Sequence, residues 1–197
     1  MLLRCIVLFC GVFLLNACGK NEVVENKRFH FFVNTENPET KDAVQFLVDR
    51  YNGELGSPVL DIVEDQAAAN SKIGFTSNLK LNADHKLGVG QWITISSRTS
   101  RYSLEGRETT TEIQYGMDIS FDKDNFEAKQ ARVKDAESSE ADHLYHLFCH
   151  EVGHGMQLNH KEDDPNDVMY PFIPEASKHQ VEYDLYFTQI RTFLGTR

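Results

Sequence analysis

His160 follows His154 by six positions, and that interval constrains the chain more than any other feature. Both belong to the stretch His150-Glu151-Val152-Gly153-His154-Gly155-Met156-Gln157-Leu158-Asn159-His160. Histidines four apart on a helix stand about one turn apart on one face, so His150 and His154 can hold a single metal ion between them. On an unbroken helix, six residues would carry His160 well away from that face. The chain must therefore leave the helix after His154 if His160 is to complete the site. Three neutral ring nitrogens with one coordination position left open make a catalytic zinc rather than a structural one. Glu151, next to the first histidine, is placed to take a proton from a water that the metal activates.

At 197 residues the chain has room for one domain with a real core, and its 41% hydrophobic and 25% charged residues are ordinary globular values. A formal net charge of −10, with no basic cluster, argues against nucleic acid as a partner, because phosphate binding needs basic patches. The N-terminus differs in kind. Arg4 precedes an apolar run from Ile6 to Leu15, too short to span a bilayer but suited to a secretory leader. The run ends in Leu15-Asn16-Ala17-Cys18-Gly19, which resembles the lipobox of bacterial lipoproteins. The resemblance implies a signal peptide over 1–17, lipidation at Cys18, and attachment to the membrane through that lipid. The location would be the cell envelope, at the outer membrane; a plain cleaved signal peptide would instead give a periplasmic or secreted protein. Cys149 alone then remains as a thiol, read as a small apolar residue packed under the metal helix.

Residues 18–28 read as the lipidated cysteine and a polar tether, and 29–197 as a single domain. Phe29–Val33 has the length and apolar content of a buried strand. Asn37-Pro38-Glu39 opens a helix with a cap, a first-turn proline and an acid, and Asn52-Gly53 stops it. Val59–Val63 and Ile73–Thr76 read as short strands, 77–90 as irregular from its turn residues and two glycines, and Trp92, Ile93 and Ile95 as another strand. A polar loop is expected from about residue 98 to 110, then a half-buried strand alternating through Ile113, Tyr115, Met117, Ile119 and Phe121. Ser138 or Ser139 caps the helix that runs into the histidines. A last helix is expected from a capping box at Ser177–Gln180 to a stop at Gly195.

A bare H-E-x-x-H is a moderate signal. Here it falls on an amphipathic helix, is followed by His160, and nine residues later by Asp167-Val168-Met169-Tyr170-Pro171. Together these features resemble the metzincin clan of zinc metalloendopeptidases, and the Met-Tyr-Pro turn looks most like the matrixin branch. The resemblance is strong over 144–172 and only architectural over 29–126. It implies an α+β zincin fold with a mixed, twisted sheet of about five strands, an antiparallel edge strand, a backing helix, an active-site helix and a C-terminal helix. It implies His150, His154 and His160 as ligands of Zn2+, Glu151 as general base, Met169 as the floor under the metal and Pro171 as a wall of the S1′ pocket. It also implies an edge strand at Trp92, Ile93, Thr94 and Ile95 that pairs with extended protein or peptide substrate. The chain is expected to act as a monomer.

The sequence departs from the family pattern in several places. Gln157 stands where the family has glycine, so a left-handed residue at the helix end would cost about 1 kcal/mol. Asn159 tolerates that conformation better. Lys161 occupies a position where matrixins usually carry serine. Ser120 stands where a structural-zinc histidine would be, so no second zinc is expected, nor is a cysteine-switch propeptide. Asp122 and Asp124, in Asp122-Lys123-Asp124-Asn125-Phe126-Glu127, are open to two readings, as ligands of Ca2+ or as a solvated acidic turn. His146, one turn before His150, reads as a packed or hydrogen-bonded residue. Two other functions compete with the endopeptidase. One is a non-catalytic metzincin-fold binding lipoprotein, an adhesin or inhibitor, against which the retained Glu151 argues. The other is a two-histidine zincin whose third ligand is Glu175 or Glu182, against which the Met-turn argues.

Overall fold

Six strands and four helices follow one another in the computed structural model, which describes residues 20–77, 79, 87–103, 106–173 and 181–195. The leader, Cys18, His85, Glu175 and the Ser177–Gln180 cap lie outside the described residues. β1 (Lys20–Asn26) is followed by β2 (Phe29–Asn34), α1 (Pro38–Leu55), β3 (Leu60–Ile62), β4 (Ser71–Thr76), β5 (Gly88–Ser103) and β6 (Gly106–Asp122). α2 (Lys123–Lys129), α3 (Ser139–Gly155) and α4 (Tyr183–Leu194) complete the order. No described helix is long and apolar enough to cross a membrane.

The sheet has six strands rather than about five. Its main path is β1-β6-β4-β2-β3, and every pairing along that path is parallel. The path therefore ends in the parallel strands β1 and β3, not in the expected antiparallel edge strand. β5 pairs with β6 off that path, antiparallel, from Gly88↔Phe121 to Ser103↔Gly106. Three segments read as irregular are thus strands, among them Gly88–Gly90 at the start of β5. Residues 20–26, taken for a tether, lie along Glu108–Gln114. The polar residues 98–103 and 106–110 continue β5 and β6 as a long ribbon, in which Thr99 faces Thr110, Ser100 faces Thr109 and Arg101 faces Glu108. Such hydroxyl and opposite-charge pairs stabilise a solvated ribbon without an apolar face, so hydrophobic alternation gave no sign of it.

Local chemistry accounts for the helix that backs the sheet. Asn37 caps α1 by accepting from the Glu39 N–H, with Pro38 at the first turn. The helix does not stop at Gly53; it runs to Leu55, and Gly56 at φ 76° ends it. Asn52 instead fastens the start of β3. Its amide donates to the Leu60 carbonyl, and its oxygen accepts from the N–H groups of Val59 and Leu60.

The core lies between the sheet, through Phe29, Phe31, Ile73, Ile119 and Phe121, and the helices, and on its helical side α1, α3 and α4 meet. Tyr51 of α1 packs edge-on against Phe148 of α3 and against Tyr186 and Phe187 of α4, with centroids 5.2–6.3 Å apart. The Tyr186 hydroxyl donates to the Cys149 carbonyl at 2.6 Å, so α4 is tied to α3 at the residue before His150. α4 begins at Tyr183, later than the expected cap at 177–180, and ends at Gly195 in the left-handed region as expected.

Candidate metal centre

α3 starts at a Ser138 cap that accepts from the Glu140 N–H, with Glu140 and Asp142 in its first turn. It is buried through most of its length, so His150 and Glu151 are carried into the interior on a rigid element. What happens at its end decides whether His160 can reach them. Gln157 adopts φ 65°, the one non-glycine left-handed residue among those described. The Gln157 N–H donates to the His154 carbonyl at 3.0 Å and the Leu158 N–H to the Gly153 carbonyl at 2.9 Å. These are the two bonds of a Schellman helix stop. The left-handed step is thus made by glutamine, and Asn159 takes no part in it. Gln157→Gly should raise stability by about 0.5–1 kcal/mol, by relieving the Cβ clash at φ > 0. Chemical denaturation of the metal-free protein reads this directly, and a midpoint that stays or falls counts against it.

Past that turn the three histidines converge. The Nε2 atoms of His150 and His154 are 3.1 Å apart, those of His154 and His160 3.0 Å, and those of His160 and His150 3.3 Å. The other ring nitrogen of His150 faces the Val168 carbonyl at 2.8 Å, and that of His154 faces the Leu158 carbonyl at 3.0 Å. A carbonyl can only accept, so both Nδ1 atoms carry the proton and both Nε2 atoms present lone pairs to the centre. Burial, with the other imidazoles adding to it, pushes the His150 pKa down to about 3, and burial likewise lowers that of His154. Neutral rings with converging lone pairs repel unless a cation lies among them. Zinc–nitrogen bonds of about 2.0–2.1 Å at tetrahedral angles put ligand atoms roughly 3.3 Å apart, and the observed spacings fit that ion. Among the described residues this is the one group of three metal-binding side chains within reach of one another.

The remaining expected site residues fall into three sets. Met169 is fully buried, and a methyl on Gly153 would come within 2.5 Å of its sulfur, so the thioether lies against α3 between the two helical histidines. Pro171 joins Leu87, Gly88, Val89, Gly90, Leu147, Glu151, Phe172, Ile173 and the three histidines around a cleft of about 590 Å³. The β5 residues at this cleft are Gly88–Gly90, not the expected Trp92–Ile95. Trp92 lies further along and packs on Phe29, Tyr115 and Phe193. The two candidate calcium residues stand at the start of α2. Asp122 is buried and caps α2 by accepting from the Asn125 N–H at 2.9 Å, while Asp124 is exposed in that helix's first turn. Glu182 is outside the histidine group and precedes α4, its N–H bonded to the Asn166 carbonyl.

Several contributors had no sequence signal. The Val168 carbonyl serves His150 and also His146, whose Nε2 lies 3.2 Å away. His146 thus packs against the turn, and burial lowers its pKa to about 4. Gly88 and Gly90 stand two apart on β5, on one face of the strand. A methyl on Gly88 would run into the Glu151 carboxylate, and one on Gly90 into the Glu151 carbonyl.

A helix that supplies two histidines and a glutamate, a left-handed exit to a third histidine, and a buried methionine turn packed against that helix together define a zinc peptidase of the metzincin type. A matrixin family model matches residues 63–186, well over half of the chain, and the chain belongs to the matrixin family. At the level of that family it is a zinc-dependent metallopeptidase, a hydrolase acting on proteins or peptides. A search of curated proteins finds no match.

Proposed function

We propose that the chain is a lipid-anchored zinc endopeptidase working outside the cytoplasm, with His150, His154 and His160 holding the metal. The observation that carries this reading is the approach of three Nε2 atoms to 3.0–3.3 Å of one another beside a buried glutamate. Zinc, when bound, supplies Lewis acidity toward a water and toward the scissile carbonyl oxygen. Glu151 takes the proton from the attacking water and delivers it to the departing amide nitrogen. Its carboxylate lies against the backbone of Gly88, so the general base sits directly under β5.

An extended substrate runs along Leu87–Gly90 and borrows main-chain hydrogen bonds from that segment. Pro171, Phe172 and Ile173 bound the other side of the cleft, which gives an apolar side chain of the substrate a place to dock. Acylated Cys18 holds the protein at the envelope membrane.

The test is chelation and reconstitution. Cleavage of an unstructured protein such as casein should stop when the metal is stripped and return with added zinc, and His160→Ala should weaken zinc retention. A metal-free protein that cleaves as fast as the loaded one would sink the proposal. Binding of zinc without any cleavage would favour a binding lipoprotein instead.

A further inference from the structure

His160 is the least enclosed of the three histidines, and it follows a helix stop built on a strained glutamine. Something beyond that stop must hold it. The residue after it, Lys161, is bound to the methionine turn twice. Its N–H donates to the Met169 carbonyl at 3.0 Å, and its ammonium meets Asp167 Oδ2 at 2.8 Å. Asp167 is buried, and its other oxygen accepts from the Met169 N–H at 2.7 Å. Both carboxylate oxygens therefore have donors, as a buried charge requires. Asp167 is also the neighbour of Val168, whose carbonyl orients His150.

We propose that Lys161 is a positioning residue for the metal centre. Its ion pair with Asp167 straps the His160 segment to the turn, so that the third ligand and the orienting carbonyl of the first move as one unit. This rests on the reading of the three histidines as a zinc site. The strap takes over part of the work of holding the ligand loop in a chain that lacks the helix-stop glycine. Lysine reaches Asp167 because its long stem spans the gap while a third of the side chain stays exposed.

The experiment is a zinc-affinity series on the full chain, by competition with a chromophoric chelator. It is run beside the visible absorption spectrum of the cobalt(II) form and the melting temperature of the metal-free form. Lys161→Met and Asp167→Asn should each weaken zinc binding roughly 10–100-fold, the range seen when groups orienting metal ligands are lost. Their effects should be strongly non-additive in the double variant. Lys161→Arg should restore most of the affinity, and the cobalt bands of Lys161→Met should shift or broaden. Unchanged affinity with an unchanged cobalt spectrum in Lys161→Met overturns the proposal. So does tighter binding, which would make Lys161 merely a repelling charge. A lowered metal-free melting temperature with wild-type affinity would make the pair a stabilising contact only. Failure of the wild type to bind zinc at all would overturn the metal reading itself, and the strap with it.

Discussion

Replacing Glu151 with glutamine should lower peptide cleavage by roughly 10²–10⁴-fold, the contribution of a positioned general base, while zinc stays bound. Glutamine keeps the shape of the side chain and its fit beneath Gly88, so the histidines on either side of the turn have no reason to move. What is lost is the ability to accept a proton. Glu151 is buried, at 3% exposure, and bulk water therefore replaces it poorly as a base. Steady-state cleavage of a quenched peptide, measured beside zinc content, separates the two effects. Full activity in this variant would remove Glu151 from the chemistry. Loss of zinc along with activity would make it a structural support of the centre.

The second large effect is expected at Gly90. A Cβ there would collide with the Glu151 carbonyl, and it would lie 3.0 Å from the His154 Cβ. Both belong to the body of α3, whose other faces are buried against the core, so the helix cannot easily retreat. Gly90→Ala must therefore lift β5 away from the helix. Overpacking of this kind costs about 1–3 kcal/mol, and here it also widens the cleft at the histidines, so cleavage falls together with stability. Gly88→Ala is the informative contrast. There the collision is with the Glu151 carboxylate, the far end of a flexible side chain, so the cost in stability should be smaller while activity still drops. Thermal unfolding and cleavage rates of the two variants test this. Equal loss of stability in both would show that the strand does not ride on the helix backbone at Gly90.

The metal centre was more legible in the sequence than the sheet around it, and the reason is physical. Ligand spacing on a helix is fixed by 3.6 residues per turn, so His150 and His154 could be paired without any tertiary information. The interval to His160 demanded a helix exit, and Gln157 supplies it at the position where the family pattern has glycine. Strands without an apolar face give no such regularity. β1, whose exposed Val23 and Val24 fall on opposite faces, and the outer halves of β5 and β6 carry no continuous apolar face, so their sequences read as a tether and a loop. Gly88 and Gly90 read as turn residues, although two glycines at strand spacing also mark close approach of another backbone. Only the position of α3 separates those meanings. The Lys161–Asp167 pair joins residues six apart in an irregular loop, a separation that no secondary-structure period connects. Asp122 shows the opposite hazard, since a carboxylate that resembled a cation ligand spends an oxygen on capping α2.

Titration of zinc into the metal-stripped full chain against a competing chelator is the most direct test of the central claim. One tightly held equivalent per chain in the wild type, lost or greatly weakened in His150→Ala, is the result expected from the converging histidines. A wild-type chain that takes up no zinc, or a His150→Ala chain that holds it equally well, would contradict the account.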